Sequence, residues 1–403
     1  MSSENSSQSP EQQLRKPRVA VVFGGRSSEH AISVVTAGAV LRSIDRTKYD
    51  VLPIGITTDG RWALTADDPE RMSIADRALP SVDQIAESTD GGVVLSVDPG
   101  NREVVYSEPG SVPKALGEVD VVFPVLHGPY GEDGTLQGLL ELSGVPYVGA
   151  GVLASAVGQD KEYMKRVFTS FGLPVGPYLV IRPREWEQVS GERVSGEQVS
   201  GDGTAAKGAA ARAKIVDFAA EHGWPLFVKP ARAGSSMGIT KVDGPSGLDE
   251  AIAEARRHDP KILVESLLRG REIECGVLEF EDGPRASVPA EIPPVTAHDF
   301  YDFEAKYIDS ATGLVPAPLT EEQTAEVRRL AVEAFEAASC EGLVRADFFL
   351  TEDGEFVINE INTMPGFTPI SMYPRMWQES GVGYPELIDR LIQAALRRPT
   401  GLR

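Results

Sequence analysis

Two strand–loop–helix patterns near the start of the chain constrain its fold most strongly. The apolar run Arg18–Gly25 ends in two glycines, and an Ala- and Val-rich helical segment follows at Ala31–Leu41. A second apolar run, Val119–Leu126, precedes a glycine-containing loop and a segment with leucines at helical spacing. Alternating strands and helices predict an α/β first domain with a largely parallel sheet.

The size and charge of the chain limit the partners that it can have. Its 403 residues are enough for two or three domains with substantial cores. The 60 acidic side chains outnumber the 39 basic ones, and the net charge of −21 would repel nucleic acids and anionic membrane surfaces. We therefore expect small-molecule chemistry, with neither nucleic acid nor a membrane as a partner.

The N-terminal segment and the cysteines indicate a soluble cytoplasmic protein. Residues 1–16 are rich in Ser, Gln and Glu and lack the apolar core of a signal peptide, so we expect a disordered tail there. The sequence has no apolar stretch long enough to span a membrane. Cys275 and Cys340 are the two cysteines, which excludes a disulfide framework and a cysteine-based zinc site.

A low-complexity segment interrupts the middle of the chain. Between residues 187 and 214 the pattern Val-Ser-Gly-Glu recurs, and large apolar side chains are rare. Such a composition favours a solvated, flexible loop over a packed element. We expect this segment to be an insert in the central domain with no role in chemistry.

Two segments near the C-terminus predict an antiparallel hairpin. Leu343–Leu350 and Glu355–Asn362 are both strand-like, and the turn-like residues 351–354 separate them. With an even number of residues in the loop, the polar faces of the two strands would coincide. The hairpin would then present one polar surface.

That polar surface is the strongest candidate site in the sequence. Asp347, Glu360 and Asn362 supply oxygen ligands beside Arg345, a set that suits Mg²⁺ holding a phosphate chain. A solvated strand face with interspersed charges is the simpler alternative for any alternating pattern. The turn Asn362-Thr-Met-Pro-Gly follows at once and presents backbone N–H groups, which favours a site.

A glycine- and serine-rich loop is a second candidate for phosphate binding. This loop, Ala233–Gly238, follows the strand-like segment that bears Lys229, and it can donate backbone N–H groups to a triphosphate. The sequence has no Gly-x-x-x-x-Gly-Lys-Ser/Thr motif, so a P-loop is disfavoured. Gly24 and Gly25 are adjacent and a third glycine is missing, which departs from the dinucleotide fingerprint.

Together these segments resemble the D-alanine–D-alanine ligase family of the ATP-grasp superfamily over nearly the whole chain. The resemblance rests on several loops that occur in the order known from the family. They are Gly24–His30, His127–Gly138, Asp160–Lys165, Val228–Pro230, Gly234–Gly238, Phe303–Tyr307, Arg345–Asp347 and Asn359–Gly366. Ala31 is a departure, because many members have an acid at that place.

The resemblance implies a three-domain ATP-grasp fold of the α/β (α+β) class with an N-terminal Rossmann-like, or pre-ATP-grasp, domain. We place the N-terminal substrate-binding domain at residues 17–154 and the central ATP-grasp domain at 155–276. The C-terminal ATP-grasp domain, with the metal and catalytic residues, follows at 277–403. A homodimer is also implied.

The implied activity is the ATP-dependent ligation of two D-alanine molecules through a D-alanyl phosphate, for peptidoglycan precursors. ATP is the implied cosubstrate, and two Mg²⁺ ions, which Mn²⁺ could replace, are the implied metals. The residues that match the metal ligands of the family are Asp347, Glu360 and Asn362. Those that match its ATP contacts are Lys165, Lys229, Ser235, Ser236, Glu265, Leu268, Glu272 and Lys306.

The resemblance assigns further residues to D-alanine and to catalysis. The substrate contacts would be Glu29, His127, Arg345, Gly366, Ser371 and Met372. The catalytic set would be Glu29, Ser235, Tyr307, Arg345 and Gly366. In this set Glu29 would hold the ammonium of the first D-alanine, with His127 near its carboxylate, while Arg345 and the Gly366 N–H would stabilise the oxyanion.

The resemblance also identifies Phe300–Thr312 as a loop that closes over the active site and excludes water. Tyr307 in this loop matches members that use an amine, rather than D-lactate, as the second substrate.

Two alternatives to this function remain open. One is another ATP-grasp ligase or carboxylase with a different acid, which the Glu29 and His127 motifs disfavour, and the other is a nucleotide or amino-acid sensor without turnover.

Overall fold

The computed structural model describes residues 15–74, 78–186, 202–235, 237–293 and 313–398, with residues 202–210 described by their backbone alone. Several sequence predictions concern residues outside these ranges. They are Ser236, Lys306, Tyr307, the loop Phe300–Thr312, most of the N-terminal tail and most of the repeat segment.

The strands are numbered here in chain order. They are β1 (Arg18–Gly24), β2 (Asp50–Ile56), β3 (Trp62–Leu64), β4 (Gly92–Leu95), β5 (Glu103–Ser107), β6 (Lys114–Glu118), β7 (Val121–Pro124), β8 (Tyr178–Ile181), β9 (Leu226–Pro230), β10 (Thr240–Val242), β11 (Ile262–Ser266), β12 (Gly270–Phe280), β13 (Gly283–Ala286), β14 (Ala290–Ile292), β15 (Leu343–Thr351) and β16 (Phe356–Asn362).

The helices are numbered in the same way. They are α1 (His30–Ser43), α2 (Val82–Ile85), α3 (Thr135–Ser143), α4 (Val152–Gln159), α5 (Lys161–Ser170), α6 (Pro183–Trp186), α7 (Asp202–His222), α8 (Leu248–His258), α9 (Glu321–Ala337), α10 (Met372–Glu379) and α11 (Tyr384–Arg397). Across the described residues, no helix has both the length and the apolar character needed to cross a bilayer.

The first sheet confirms the predicted α/β arrangement. Its strand order is β3-β2-β1-β7, and β1 pairs in parallel with both β2 and β7. Gly24 ends β1 with φ at +90°, and a side chain there would clash with the carbonyl of Ile56, so this turn requires glycine. The turn leads into α1 and places Glu29 at the start of that helix.

Two larger antiparallel sheets hold most of the remaining strands, and β4, β5 and β6 form a smaller antiparallel sheet. One of the larger sheets has the strand order β10-β9-β11-β8, and the other has the order β13-β12-β15-β16 with β14 beside β12. Helix α9 covers the second of these sheets with a face that includes Val327 and Phe335. It begins at a capping box, in which the side chains of Thr320 and Gln323 each bond the backbone N–H of the other.

A common core joins the first sheet to the C-terminal helices. Phe123 of β7 and Phe367 lie with ring centroids 5.9 Å apart. The Tyr384 hydroxyl of α11 donates to the Phe367 carbonyl at 2.6 Å. The turn that precedes Phe367 is therefore anchored close to the first sheet.

The extent of the irregular segments differs from the sequence prediction. Helix α7 begins at Asp202, so the last part of the predicted flexible insert is helical. Its run of alanines has high helix propensity, which explains the difference. The predicted tail also ends earlier, because Arg15 donates to the carboxylate of Asp120 at 2.8 Å.

Two predicted domain boundaries fall inside elements rather than between them. The boundary after residue 154 cuts α4, and the boundary after residue 276 cuts β12. Strand β12 pairs with β15 without interruption from Gly270 to Leu278, so a break within it would divide a continuous ladder. The second boundary therefore belongs before Gly270.

Candidate active site

One cleft gathers most of the predicted site residues. Its walls are the start of α1, the loops after β7 and β9, the strands β12, β15 and β16, and the turn that follows β16. Predicted residues in its lining are Glu29, His127, Lys229, Ser235, Glu272, Arg345, Asp347, Glu360, Asn362, Gly366, Ser371 and Met372. The lining does not include Lys165, Glu265 or Leu268.

The hairpin of β15 and β16 places Asp347 opposite Glu360, but not for the predicted reason. The loop at residues 351–355 has an odd number of residues, whereas an even number was expected. A shift of register after Asp347 leaves Asn359 as an extra residue in β16. Without this bulge Glu360 would face the other side of the sheet, because a slip of one residue reverses every side chain.

Arg345 and Asp347 form the most tightly paired ions of this surface. Arg345 Nε and one terminal nitrogen each lie 2.7 Å from an Asp347 oxygen, and the Asn362 amide donates to the same carboxylate at 2.9 Å. Glu274 lies 3.4 Å from Arg345. Burial alone would lower the pKa of Arg345, but Asp347 and Glu274 outweigh it and raise the pKa. Arg345 is therefore a permanent cation in the cleft.

Lys161 is a cleft residue that the sequence reasoning missed. It begins α5, directly after the capping residue Asp160, and its Nζ lies 3.0 Å from Glu360 and 3.1 Å from the Ala233 carbonyl. Burial would lower the pKa of Lys161, but Glu360 raises it. The available signal was its spacing, because Lys161 and the predicted Lys165 share one helix face at i and i+4.

The donor set of the hairpin suits a hard divalent cation. Asp347 and Glu360 offer carboxylate oxygens and Asn362 an amide oxygen, and Mg²⁺ commonly combines one or two carboxylates with phosphate oxygens and water. Within the described parts of the chain, no group of three His, Cys, Asp or Glu side chains could hold a metal. The residues therefore fit a metal that binds together with a phosphate-bearing ligand.

Lys165 and Lys229 converge on one carboxylate. Lys165 Nζ lies 2.8 Å from one Glu265 oxygen, and Lys229 pairs with the other. Burial would raise the pKa of Glu265, but the two lysines lower it to about 2. Burial lowers the pKa of Lys229 despite this partner. Lys229 reaches the cleft, whereas Lys165 is 3 % exposed and lies behind it.

Glu29 and Ser235 meet across the cleft although they lie 206 positions apart in the sequence. The Ser235 hydroxyl donates to the Glu29 carboxylate, which is almost fully buried. Gly128 has φ at +72°, and an added Cβ there would lie 3.1 Å from Glu29, so glycine permits this close approach. The arrangement leaves a buried negative charge facing the cleft.

His127 presents an acceptor nitrogen to the same region. Its Nδ1 lies 3.0 Å from the Met364 carbonyl, which can only accept, so Nδ1 carries the hydrogen. Burial lowers the pKa of His127, although Glu29 partly opposes this. No described residue bonds its Nε2. Nε2 is therefore the ring nitrogen that His127 presents to the cleft, and its place near the carboxylate of the first D-alanine stays a prediction.

Ser371 and Met372 close the far side of the cleft. The Ser371 hydroxyl lies 2.8 Å from the Thr368 hydroxyl and accepts from the Thr368 N–H at 3.1 Å. Helix α10 begins at Met372, one residue after its cap Ser371. Both residues thus lie where the turn after Gly366 enters a helix.

Comparison with known proteins matches both halves of the chain to one family. The family model described as "D-ala D-ala ligase N-terminus" matches residues 18–150, and that described as "D-ala D-ala ligase C-terminus" matches residues 204–393. A D-alanine–D-alanine ligase of Streptomyces avermitilis is 81% identical over 403 residues, with 100% of both chains covered.

Solved structures agree with this assignment. The VanG D-Ala:D-Ser ligase of Enterococcus faecalis matches with a TM-score of 0.76 and 32% identity, covering 94% of this chain and 100% of that one. The D-alanine–D-alanine ligase of Coxiella burnetii matches with a TM-score of 0.73 and 34% identity, covering 94% of each. The chain thus has an ATP-grasp fold. The chain belongs to the D-alanine–D-alanine ligase family, the ligases that use ATP to join two D-alanine molecules for peptidoglycan synthesis.

Proposed function

We propose that this cleft joins two D-alanine molecules through a D-alanyl phosphate, with ATP as the phosphoryl donor. One observation carries the proposal. The polar surface of Arg345, Asp347 and Glu360 and the carboxylate of Glu29 line the same cleft, so a phosphate site and an ammonium site face one space. The family reaction brings together a phosphate of ATP and an amino acid with an ammonium group, and these two sites would hold those groups.

The first step needs an amino acid held with its carboxylate toward the phosphate site. Glu29, positioned by Ser235, binds the ammonium of the first D-alanine. His127, which lines the same cleft, lies near the carboxylate of this D-alanine. The carboxylate oxygen then attacks the γ-phosphorus and the bond to ADP breaks, while Lys161 and Lys229 offset phosphate charge.

The second step forms the peptide bond. The amine of the second D-alanine, received near Ser371 and Met372, attacks the acyl carbon and passes through a tetrahedral intermediate. Arg345 and the Gly366 N–H stabilise its oxyanion. The bond between the acyl carbon and the phosphate oxygen then breaks, and the departing phosphate takes up the proton that the amine loses. No side chain needs to act as a nucleophile, since positioning and charge stabilisation carry the reaction.

A metal complements these residues. Asp347, Glu360 and Asn362 are the residues that would hold Mg²⁺, or Mn²⁺ in its place, together with the nucleotide phosphates. When bound, the ions supply positive charge that offsets the charge of the triphosphate. Two ions are expected from the family.

The nucleotide lies between the central and C-terminal domains in this proposal. Glu272 lines the cleft and is assigned to the ribose, while Glu265 and Leu268 are assigned to the adenine region beyond the lining. Ser236 and Lys306, together with Tyr307, complete the proposed set from outside the described residues. We keep the division into three domains, with the second boundary moved to just before Gly270.

A homodimer in the cytoplasm is the proposed working form. Leu142 of α3 and Leu153 of α4 are 66% and 52% exposed, and these two helices pack together, which supports an apolar contact between copies. Cys275 and Cys340 are buried free thiols, as suits a reducing compartment. Light scattering after size exclusion tests the dimer.

The test of the proposed function is ADP release in a coupled assay. D-alanine with ATP and Mg²⁺ is expected to release ADP and yield the dipeptide. D-lactate added with D-alanine is expected to yield little depsipeptide at neutral pH, because Tyr307 matches the members that use an amine. Efficient depsipeptide formation would reverse the specificity assignment, and D-alanine without ADP release would end the proposal.

A further inference from the structure

Glu132 joins the first domain to the turn that carries Gly366. One carboxylate oxygen of Glu132 accepts from the Gly128 N–H at 2.7 Å, and the other accepts from the Met364 N–H at 2.8 Å. The bonded residues Glu132 and Met364 are 232 positions apart in the sequence. Neither the hairpin pattern nor the glycine loops gave any signal for this contact.

The Met364 peptide is held at both of its polar groups. Its N–H bonds Glu132, and its carbonyl accepts from His127 Nδ1 at 3.0 Å. We call these two bonds the Met364 clamp. On the other side of the turn, Phe367 packs against Phe123 and accepts a hydrogen bond from Tyr384. Gly366 therefore lies between two anchored positions.

We propose that Glu132 is a positioning residue for the ligation, which acts through the Met364 clamp to hold the Gly366 N–H where the oxyanion forms. The inference rests on the proposed oxyanion role of Gly366. A turn displaced by an ångström would carry this donor away from the oxygen on which charge develops, and such donors act only at close range.

A carboxylate is the side chain that this position requires. It accepts two N–H donors at once, whereas the amide of glutamine offers one acceptor oxygen and would turn its own NH₂ toward the second donor. Glu29, Arg345 and Lys161 are charged groups that act on Glu132, and the Met364 carbonyl is bonded by His127. Burial and Glu29 raise the pKa of Glu132, whereas the two N–H donors and Arg345 oppose this and favour the ionised form.

The variant Glu132→Gln tests the proposal in the full-length enzyme. We expect kcat to fall by about tenfold to a hundredfold, the range for a lost oxyanion donor or an unpaired buried donor. The KM for ATP and the affinity for ADP with Mg²⁺ should stay within about twofold, because the clamp does not touch the nucleotide. Glu87→Gln, an exposed change in the same domain, is the matched control.

Other outcomes would overturn the proposal. An unchanged kcat would overturn it. A loss of nucleotide affinity, or a fall in Tm, that parallels the loss of kcat would also overturn it, because either change indicates a role in folding alone. Should Glu132→Gln fail to fold, Glu132→Asp keeps both acceptor oxygens and is expected to show a smaller loss of kcat with normal ADP affinity. A normal kcat in that shorter variant would count against the clamp.

A parallel variant separates this proposal from the oxyanion assignment. Arg345→Lys removes the planar fork of the other proposed oxyanion donor. If Arg345→Lys keeps kcat while Glu132→Gln loses it, the oxyanion role of Arg345 fails and the clamp on the Gly366 turn stands. If Arg345→Lys loses kcat while Glu132→Gln keeps it, the clamp fails and the proposed function stands.

Discussion

Asp347 lies opposite Glu360 because strand β16 contains one residue more than its partner strand can pair. The extra residue is Asn359. The main-chain N–H of Ile358 donates to the Pro174 carbonyl at 2.8 Å, so a segment from another part of the chain binds β16 next to the bulge. The bulge places Glu360 and Asn362 on the same face of the sheet as Asp347.

Removing the cation of Lys161 should weaken nucleotide binding. For Lys161→Met we expect the KM for ATP to rise by about tenfold to a hundredfold, since bonds to charged groups in buried sites are worth that much. The KM for D-alanine should change less. Lys241→Met, on β10 outside the cleft lining, is the matched control. An unchanged KM for ATP would remove Lys161 from the phosphate site.

Metal removal should abolish turnover. Dialysis against a chelator is expected to stop ADP release, and Mg²⁺ or Mn²⁺ should restore it, because two carboxylates and an amide bind hard cations. Asp347→Asn should raise the Mg²⁺ concentration needed for half-maximal activity. Asp353→Asn, the matched control, changes an exposed carboxylate in the loop of the same hairpin and should leave that Mg²⁺ concentration unchanged. Full activity in metal-free buffer would contradict the proposed site.

Glu29 should set the affinity for the first D-alanine. In Glu29→Gln the ammonium loses its charged partner, and we expect the KM for D-alanine to rise by about tenfold or more. The KM for ATP serves as the internal control and should remain near that of the wild type. Steady-state kinetics with each substrate varied in turn give both values. An unchanged KM for D-alanine in this variant would show that Glu29 does not bind the ammonium of the first D-alanine.

The ion pairs of Glu265 should make folding stability depend on acid. Lys165 and Lys229 lower the pKa of Glu265 from 4.5 to about 2. A lowered pKa means that the folded state binds the proton less readily than the unfolded state, so this stabilisation is present above pH 4.5 and is lost as the pH falls toward 2. Urea unfolding at several pH values measures it.

The variant Glu265→Gln isolates that contribution. It should be less stable than the wild type at neutral pH, because two buried lysines lose their carboxylate. The difference in the free energy of unfolding should shrink as the pH falls below 4.5. A difference that stays constant with pH would show that Glu265 has no lowered pKa.

Sequence patterns alone predicted several elements and many of the residues that line the cleft. The strand–glycine–helix start, the hairpin and the capping box at Thr320 depend on near neighbours, so periodicity and turn residues predict them. The onset of α7 within the predicted insert was missed, because the repeat composition masked an alanine-rich helix. The same local patterns brought Arg345 and Asp347 onto one face.

Contacts between distant segments decided the rest. The bulge at Asn359 lies beside the contact between Pro174 and β16, and the pairing of Lys161 with Glu360 depends on how α5 lies against that strand. The bond from Met364 to Glu132 crosses two domains. Side-chain periodicity carries no information about such approaches, because a residue's partner there is set by the packing of whole elements rather than by its neighbours in sequence.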